Sequence, residues 1–95
     1  MKLPKTLIIG KSEWSVVMLK EIDKPLKDGT ITWGYCDEAK QQIEILSRLK
    51  TRPRLRTFIH EVMHAFEDEY GLEIEHKLLD KIATAFADLI LVNFT

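Results

Sequence analysis

His60-Glu61-Val62-Met63-His64 is the stretch of this chain whose residue types and spacing spell out a reaction. Histidines four residues apart share one face of a helix, one turn from each other. Both imidazoles can therefore converge on a single zinc ion. The glutamate that follows the first histidine lies about 100° round the helix. From there Glu61 reaches a metal-bound water without ligating the metal. Zinc lowers the pKa of such a water to around 7, and the carboxylate takes its proton as general base. The chemistry expected of His60, Glu61 and His64 is metal-assisted hydrolysis.

A catalytic zinc takes three protein ligands and keeps a position open. Glu67 shares the face of His64 but lies about 10 Å along the axis from His60. It cannot easily join both histidines on one ion, and reads as a solvated acid. The third ligand is better sought on the next helix, where His76, Asp80, Ala83 and Ala87 fall along one side. The small alanines let the two helices approach, which aims Asp80 at the histidine pair. An acid in a first turn is also favoured by the helix dipole alone. His76 is the rival ligand, a candidate oxyanion donor, or cover for the helix start. Tyr35 and Tyr70 are further candidates for the oxyanion or substrate contact.

These groups need elements to hold them. Thr51-Arg52-Pro53 is a helix start, with proline in the first turn where its missing N–H costs nothing. Leu55, Ile59, Val62, Met63, Phe66 and Tyr70 follow at the spacing of one buried helical face, and Gly71 suits the C-terminal stop. His60 and His64 flank that stripe, free to face a cleft. A second helix spans about Glu75 to Val92, with Leu79, Ile82, Phe86, Leu89 and Ile90 as its buried stripe. The front half reads as strands: Leu7–Ile9, Trp14–Ile22, Thr30–Cys36 interrupted by Gly34, and Gln41–Leu46. Gly10-Lys11-Ser12 and Asp37–Lys40 are the expected turns, and Pro25 with Asp28-Gly29 marks a loop. Ile43 and Ile45 alternate with Gln42 and Glu44, which predicts one packed and one solvated face. Strands followed by helices give an α+β fold: a small, mainly antiparallel sheet of three to four strands, then two packed helices.

At 95 residues the chain has room for one domain, residues 1–95, and 45% hydrophobic with 31% charged residues argues against disorder. No apolar run approaches the ~20 residues that span a bilayer. The four-residue apolar patch Leu7 to Gly10 is too short for a secretory signal. A single cysteine, Cys36, excludes an internal disulfide framework, so a cytoplasmic location is expected. Cys36 itself reads as a small buried hydrophobe. Trp14 and Trp33 read as core or sheet-face residues. The formal charge of −1 hides an asymmetry: residues 1–56 hold twelve basic against seven acidic residues, and residues 57–95 two against eight. Only Arg48 to Arg56 clusters. Five basic residues without interleaved aromatics make a weak nucleic-acid footprint, and a solvated cleft rim explains them as well.

The HExxH helix, the Tyr70-Gly71-Leu72 turn and the D-x-x-A-x-x-F-A run (Asp80, Ala83, Phe86, Ala87) resemble the ImmA/IrrE-type metallopeptidases. These are part of the broader gluzincin group of zincin-like proteins. The resemblance covers roughly residues 35–92. It implies a third ligand at Asp80, where the family usually has glutamate, one methylene longer. Gly34-Tyr35-Cys36-Asp37 and the QQIEIL segment resemble the strand pair that precedes the motif in small phage and prophage proteins of this kind. By that resemblance the sheet-edge strand lines the cleft and a peptide or protein substrate adds to it as a further strand. Here that strand would be Gln41–Leu46. The function so implied is a zinc metallopeptidase with Zn2+ on His60, His64 and Asp80. The alternative is a non-catalytic binding or regulatory protein of the same fold that retains the metal site.

Overall fold

A computed structural model describes residues 2–23 and 32–94. Strands β1 (Thr6–Ile9), β2 (Ser12–Leu19), β3 (Gly34–Asp37) and β4 (Gln42–Leu46) precede helices α1 (Thr51–Tyr70) and α2 (His76–Asn93). The α+β class and the order of elements are those expected. Thr30 and the Pro25 and Asp28-Gly29 loop lie outside the described residues.

The strands form one sheet in the order β1-β2-β4-β3. β1 pairs antiparallel with β2 through a two-residue loop, Gly10-Lys11. Gly10 has φ 61, the positive value that the first position of a type II′ hairpin turn needs. β3 and β4 form the second antiparallel pair, with Cys36 opposite Ile43 and Gly34 opposite Ile45. The turn between them covers residues 38–41, and Asp37 Oδ1 accepts from the Lys40 N–H at 3.1 Å. β2 and β4 run parallel, Val16 opposite Ile43.

Two expectations about Gln41–Leu46 are corrected by this order. β4 is hydrogen-bonded to β2 on one side and β3 on the other, so it is no edge and offers no free backbone to a substrate. Its polar face is not solvated either. Glu44 is only 6% exposed, because Val17 and Tyr35 stand opposite it on the two flanking strands. Its carboxylate accepts from Gln42 Nε2 at 3.1 Å. Alternation marks two faces, but a strand with neighbours on both sides shelters both.

Helix α1 starts one residue earlier than a threonine cap implies. Lys50 occupies the N-cap without a side-chain bond, and Pro53 sits in the first turn. Gly71 closes the helix in the left-handed conformation, its N–H on the Glu67 carbonyl. Glu75 caps α2, its carboxylate accepting from the N–H groups of Lys77 and Leu78.

α1 is packed on two sides. Ala65 joins Trp14, Ile43 and Ile45, each 0% exposed, in the core between α1 and the sheet. Trp14 Nε1 donates to Glu69 at 3.2 Å, satisfying its one donor. Met63 packs with Leu79 and Ala83 in a second core between the helices. Leu79, Ala83 and Ala87 face α1 as expected, but part of each expected apolar stripe is not buried. α2 meets α1 through Leu79, Ala83 and Ala87, while Phe86 and Leu89 are half exposed. Phe66 and Tyr70 of α1 are likewise exposed. Alanines bring two backbones closer than large side chains do, so the small residues take the interface.

One glycine is required by packing. A Cβ on Gly34 would stand 2.5 Å from Thr57 Cγ2 and 3.0 Å from Glu61 Cγ. β3 therefore passes directly against α1 at Glu61. Gly34→Ala is expected to cost about 1–3 kcal/mol of stability, read from the urea midpoint. An unchanged midpoint would show that β3 and α1 do not meet this closely.

Candidate metal centre

Histidines from two helices converge. His60 and His64 come from the middle of α1 and His76 from the first turn of α2. One ring nitrogen from each lies within 4.8 Å of the others. His60 Nε2 and His64 Nε2 are 3.1 Å apart.

The other nitrogens of the α1 pair are held by carboxylates. His60 Nδ1 is 2.7 Å from Asp80 Oδ1, and His64 Nδ1 is 2.7 Å from Glu67 Oε1. A carboxylate accepts only, so each Nδ1 carries the proton and donates it. Each Nε2 then presents a lone pair, and the two lone pairs face each other. That arrangement is repulsive unless a cation lies against both. A proton serves poorly, since burial, followed by the neighbouring His64, holds the His60 pKa below the ordinary imidazole value against the pull of Asp80. A metal ion fits. Nitrogens bound at 2.0–2.1 Å around a tetrahedral ion sit about 3.3 Å apart, close to the 3.1 Å between His60 and His64, with a His76 nitrogen within 4.8 Å of both. Three imidazoles suit zinc, and a carboxylate behind a ligand histidine is the usual way its tautomer is fixed.

The sequence-derived assignments are redistributed by this geometry. His60, His64 and His76 are brought together. Asp80 reaches the site, but its carboxylate sits behind the His60 ring, with the second oxygen 3.6 Å from His76 Nδ1. Tyr35 does not reach it. Alternation along β3 puts Tyr35 on the face opposite Gly34 and Cys36, which are the residues that meet α1. The Tyr70 hydroxyl lies beside Gly10 at the β1–β2 hairpin, far down α1 from the histidines. Among the three oxyanion candidates only His76 lies in the cluster.

Glu67, expected to be a solvated acid on the face of His64, is instead drawn against that histidine. Beyond His64 it accepts the Ile74 N–H at 2.9 Å. That bond holds its carboxyl below the usual range, helped by His64 and opposed by burial. It thereby ties the α1–α2 connection to His64. The spacing of three from His64 was the available signal.

Glu61 is buried against Gly34 of β3, at 8% exposure. Burial, and then the charge of Asp80, pushes its carboxyl from 4.5 up to about 7. A base poised near neutrality is what proton abstraction at neutral pH requires. There is a stability consequence for the metal-free protein. Between pH 4.5 and about 7 the folded chain keeps a proton on Glu61 that the unfolded chain releases. Stability therefore falls as pH rises through that window. Metal-free Glu61→Gln is expected to gain up to about 3 kcal/mol over wild type on the alkaline side, with the gain vanishing on the acid side. Urea melts across pH in a chelator check this, and a pH-independent difference would contradict it.

The neighbouring groups are accounted for. The Cys36 thiol is pushed up to about 12 by burial and by Glu61, so it stays protonated. Arg52 pairs with Asp88, Arg54 donates to the Ser47 carbonyl, and Arg56 lies 5.9 Å from the Trp33 ring centre. Three of the five clustered basic residues thus have partners within the chain. Trp33 is 43% exposed, at the surface and not in the core. No helix among the described residues is long and apolar enough to cross a membrane. No protein-family model, curated protein or solved structure matches this chain.

Proposed function

We propose that this protein is a zinc-dependent peptidase. The observation that carries the reading is the pair of Nε2 atoms 3.1 Å apart, each on a ring whose Nδ1 is held by a carboxylate. His60, His64 and His76 would hold the ion, with Asp80 and Glu67 orienting the first two. Zinc, when bound, would supply a Lewis acid and an acidified water. Glu61 takes a proton from the attacking water on its carboxylate and later returns it to the leaving amine. His76, whose side chain is 66% exposed, keeps the cluster open to solvent. Among the described residues β3 has no strand on its outer side, and Gly34 brings it against Glu61. An extended peptide adding to β3 would lie beside the base, its main chain held by ladder hydrogen bonds. The lone cysteine fits a reducing, cytoplasmic setting.

Purified protein is expected to carry one zinc per chain at neutral pH and to cleave an unfolded protein. Chelation should stop cleavage and added zinc restore it. Lack of stoichiometric metal would overturn the reading.

A further inference from the structure

Arg56 stands one turn before His60 on the same side of α1, since helix residues four apart point nearly the same way. Its guanidinium carbon lies 5.9 Å from the centre of the Trp33 ring, and both residues are exposed. A ring face attracts the charge of a guanidinium but leaves its N–H donors for another group. None of the ion pairs among the described residues includes Arg56. The acids of α2 nearest that level are taken, Asp80 by His60 and Asp88 by Arg52. A cation is thus held one turn from the candidate metal centre with its donors open.

β3 decides what can reach it. The Trp33 carbonyl accepts from the Leu46 N–H at 2.9 Å, so Trp33 turns its backbone toward β4. Gly34, the next residue, therefore turns its own N–H and C=O to the outer edge of the sheet. Gly34 is also where β3 touches Thr57 and Glu61. With Trp33 at Arg56 and Gly34 at Thr57 and Glu61, β3 and α1 run the same way here. Four helix residues rise about 6 Å, and two strand residues about 7 Å. A peptide paired with Gly34, and holding one residue level with His60, brings the side chain two residues along level with Arg56.

We propose that Arg56 is a specificity-determining residue that selects an acidic side chain two residues from the scissile bond. The inference rests on the peptidase reading for its register. A glutamate or aspartate carboxylate accepts a two-pronged bond from the guanidinium, whereas a lysine or arginine there is repelled. Trp33 is the positioning residue, its ring holding the guanidinium at the side of the cleft.

The test scans one glutamate, and separately one lysine, through each position of a neutral peptide. Binding is read by fluorescence anisotropy on Glu61→Gln in the presence of zinc, and kcat/KM on wild type. One position should favour glutamate over lysine by about tenfold in both readouts, with the change in KM and not in kcat. Arg56→Glu should reverse the preference at that same position. Arg48→Glu, an equal change of charge on an exposed residue ahead of α1, should leave it as in wild type. Trp33→Ala should lose most of the preference, and Trp33→Phe should keep it. A scan in which no position favours glutamate, or a preference unmoved by Arg56→Glu, would overturn the proposal, while continued hydrolysis leaves the peptidase reading standing. Absence of zinc and of hydrolysis in wild type would overturn the peptidase reading instead. Arg56-dependent binding of the glutamate peptide would then still uphold Arg56 as the contact for an acidic side chain.

Discussion

Replacing Glu61 with glutamine is expected to lower the rate of peptide hydrolysis by about 100- to 10,000-fold, the usual contribution of a positioned general base. Glutamine keeps the shape of the side chain between Gly34 and α1, so the fold is retained. It cannot accept a proton from water. The metal content should not change, because the three histidines are untouched. The two readouts together separate a base from a ligand: hydrolysis falls while zinc stays. A variant that still cleaves at the wild-type rate would mean that Glu61 is not the base. In wild type, the carboxyl raised to about 7 in the absence of metal is also the reason to expect dependence on pH near neutrality.

The second large effect concerns the third ligand. His76→Ala is expected to abolish stoichiometric zinc binding, since two imidazoles on one helix leave a catalytic ion one protein ligand short. Asp80→Asn and Glu67→Gln act differently. Each carboxylate sits on the Nδ1 of a histidine and sets its tautomer. Their loss should weaken zinc binding by about 10- to 100-fold without eliminating it. Competition titrations with a chromophoric chelator rank all three variants. Stoichiometric zinc in His76→Ala, together with its loss in Asp80→Asn, would return the third position to Asp80.

Part of this arrangement is legible in the sequence. The convergence of His60 and His64 follows from their spacing on a helix bounded by Pro53 and Gly71, and both ends were marked by residues with strong backbone preferences. The two hairpins were legible for the same reason. His76 and Asp80 were placed on the face toward α1, because residues four apart on a helix differ by only about 40° in direction. Which one faces the other histidines depends on side-chain reach, and spacing carries no information about that. The position of β4 was not legible. Ile43 and Ile45 say that a face is buried but not which strands stand alongside. The side of α2 that meets α1 was legible from Ala83 and Ala87, but Phe86 and Leu89 were also expected to be buried on hydrophobicity alone, and both are half exposed. Close approach of two helices favours the alanines instead. Glu67 looked solvated because its partner, the Ile74 N–H, lies beyond the turn and is brought near only by the fold.

The parallel pairing of β2 with β4 bears on how the chain reaches its native state. The β1–β2 and β3–β4 hairpins join neighbours in sequence, and α1 meets α2 across a short connection. Val16 and Ile43 are far apart along the chain, yet stand opposite each other at the centre of the sheet. Bringing them together closes a long loop before any contact rewards the lost entropy. The local pieces can assemble early, but the sheet is continuous only once that loop closes. The slow step in folding is thereby assigned to the seam between two hairpins, where a weakened contact such as Val16→Ala would retard folding if the seam is formed at the barrier.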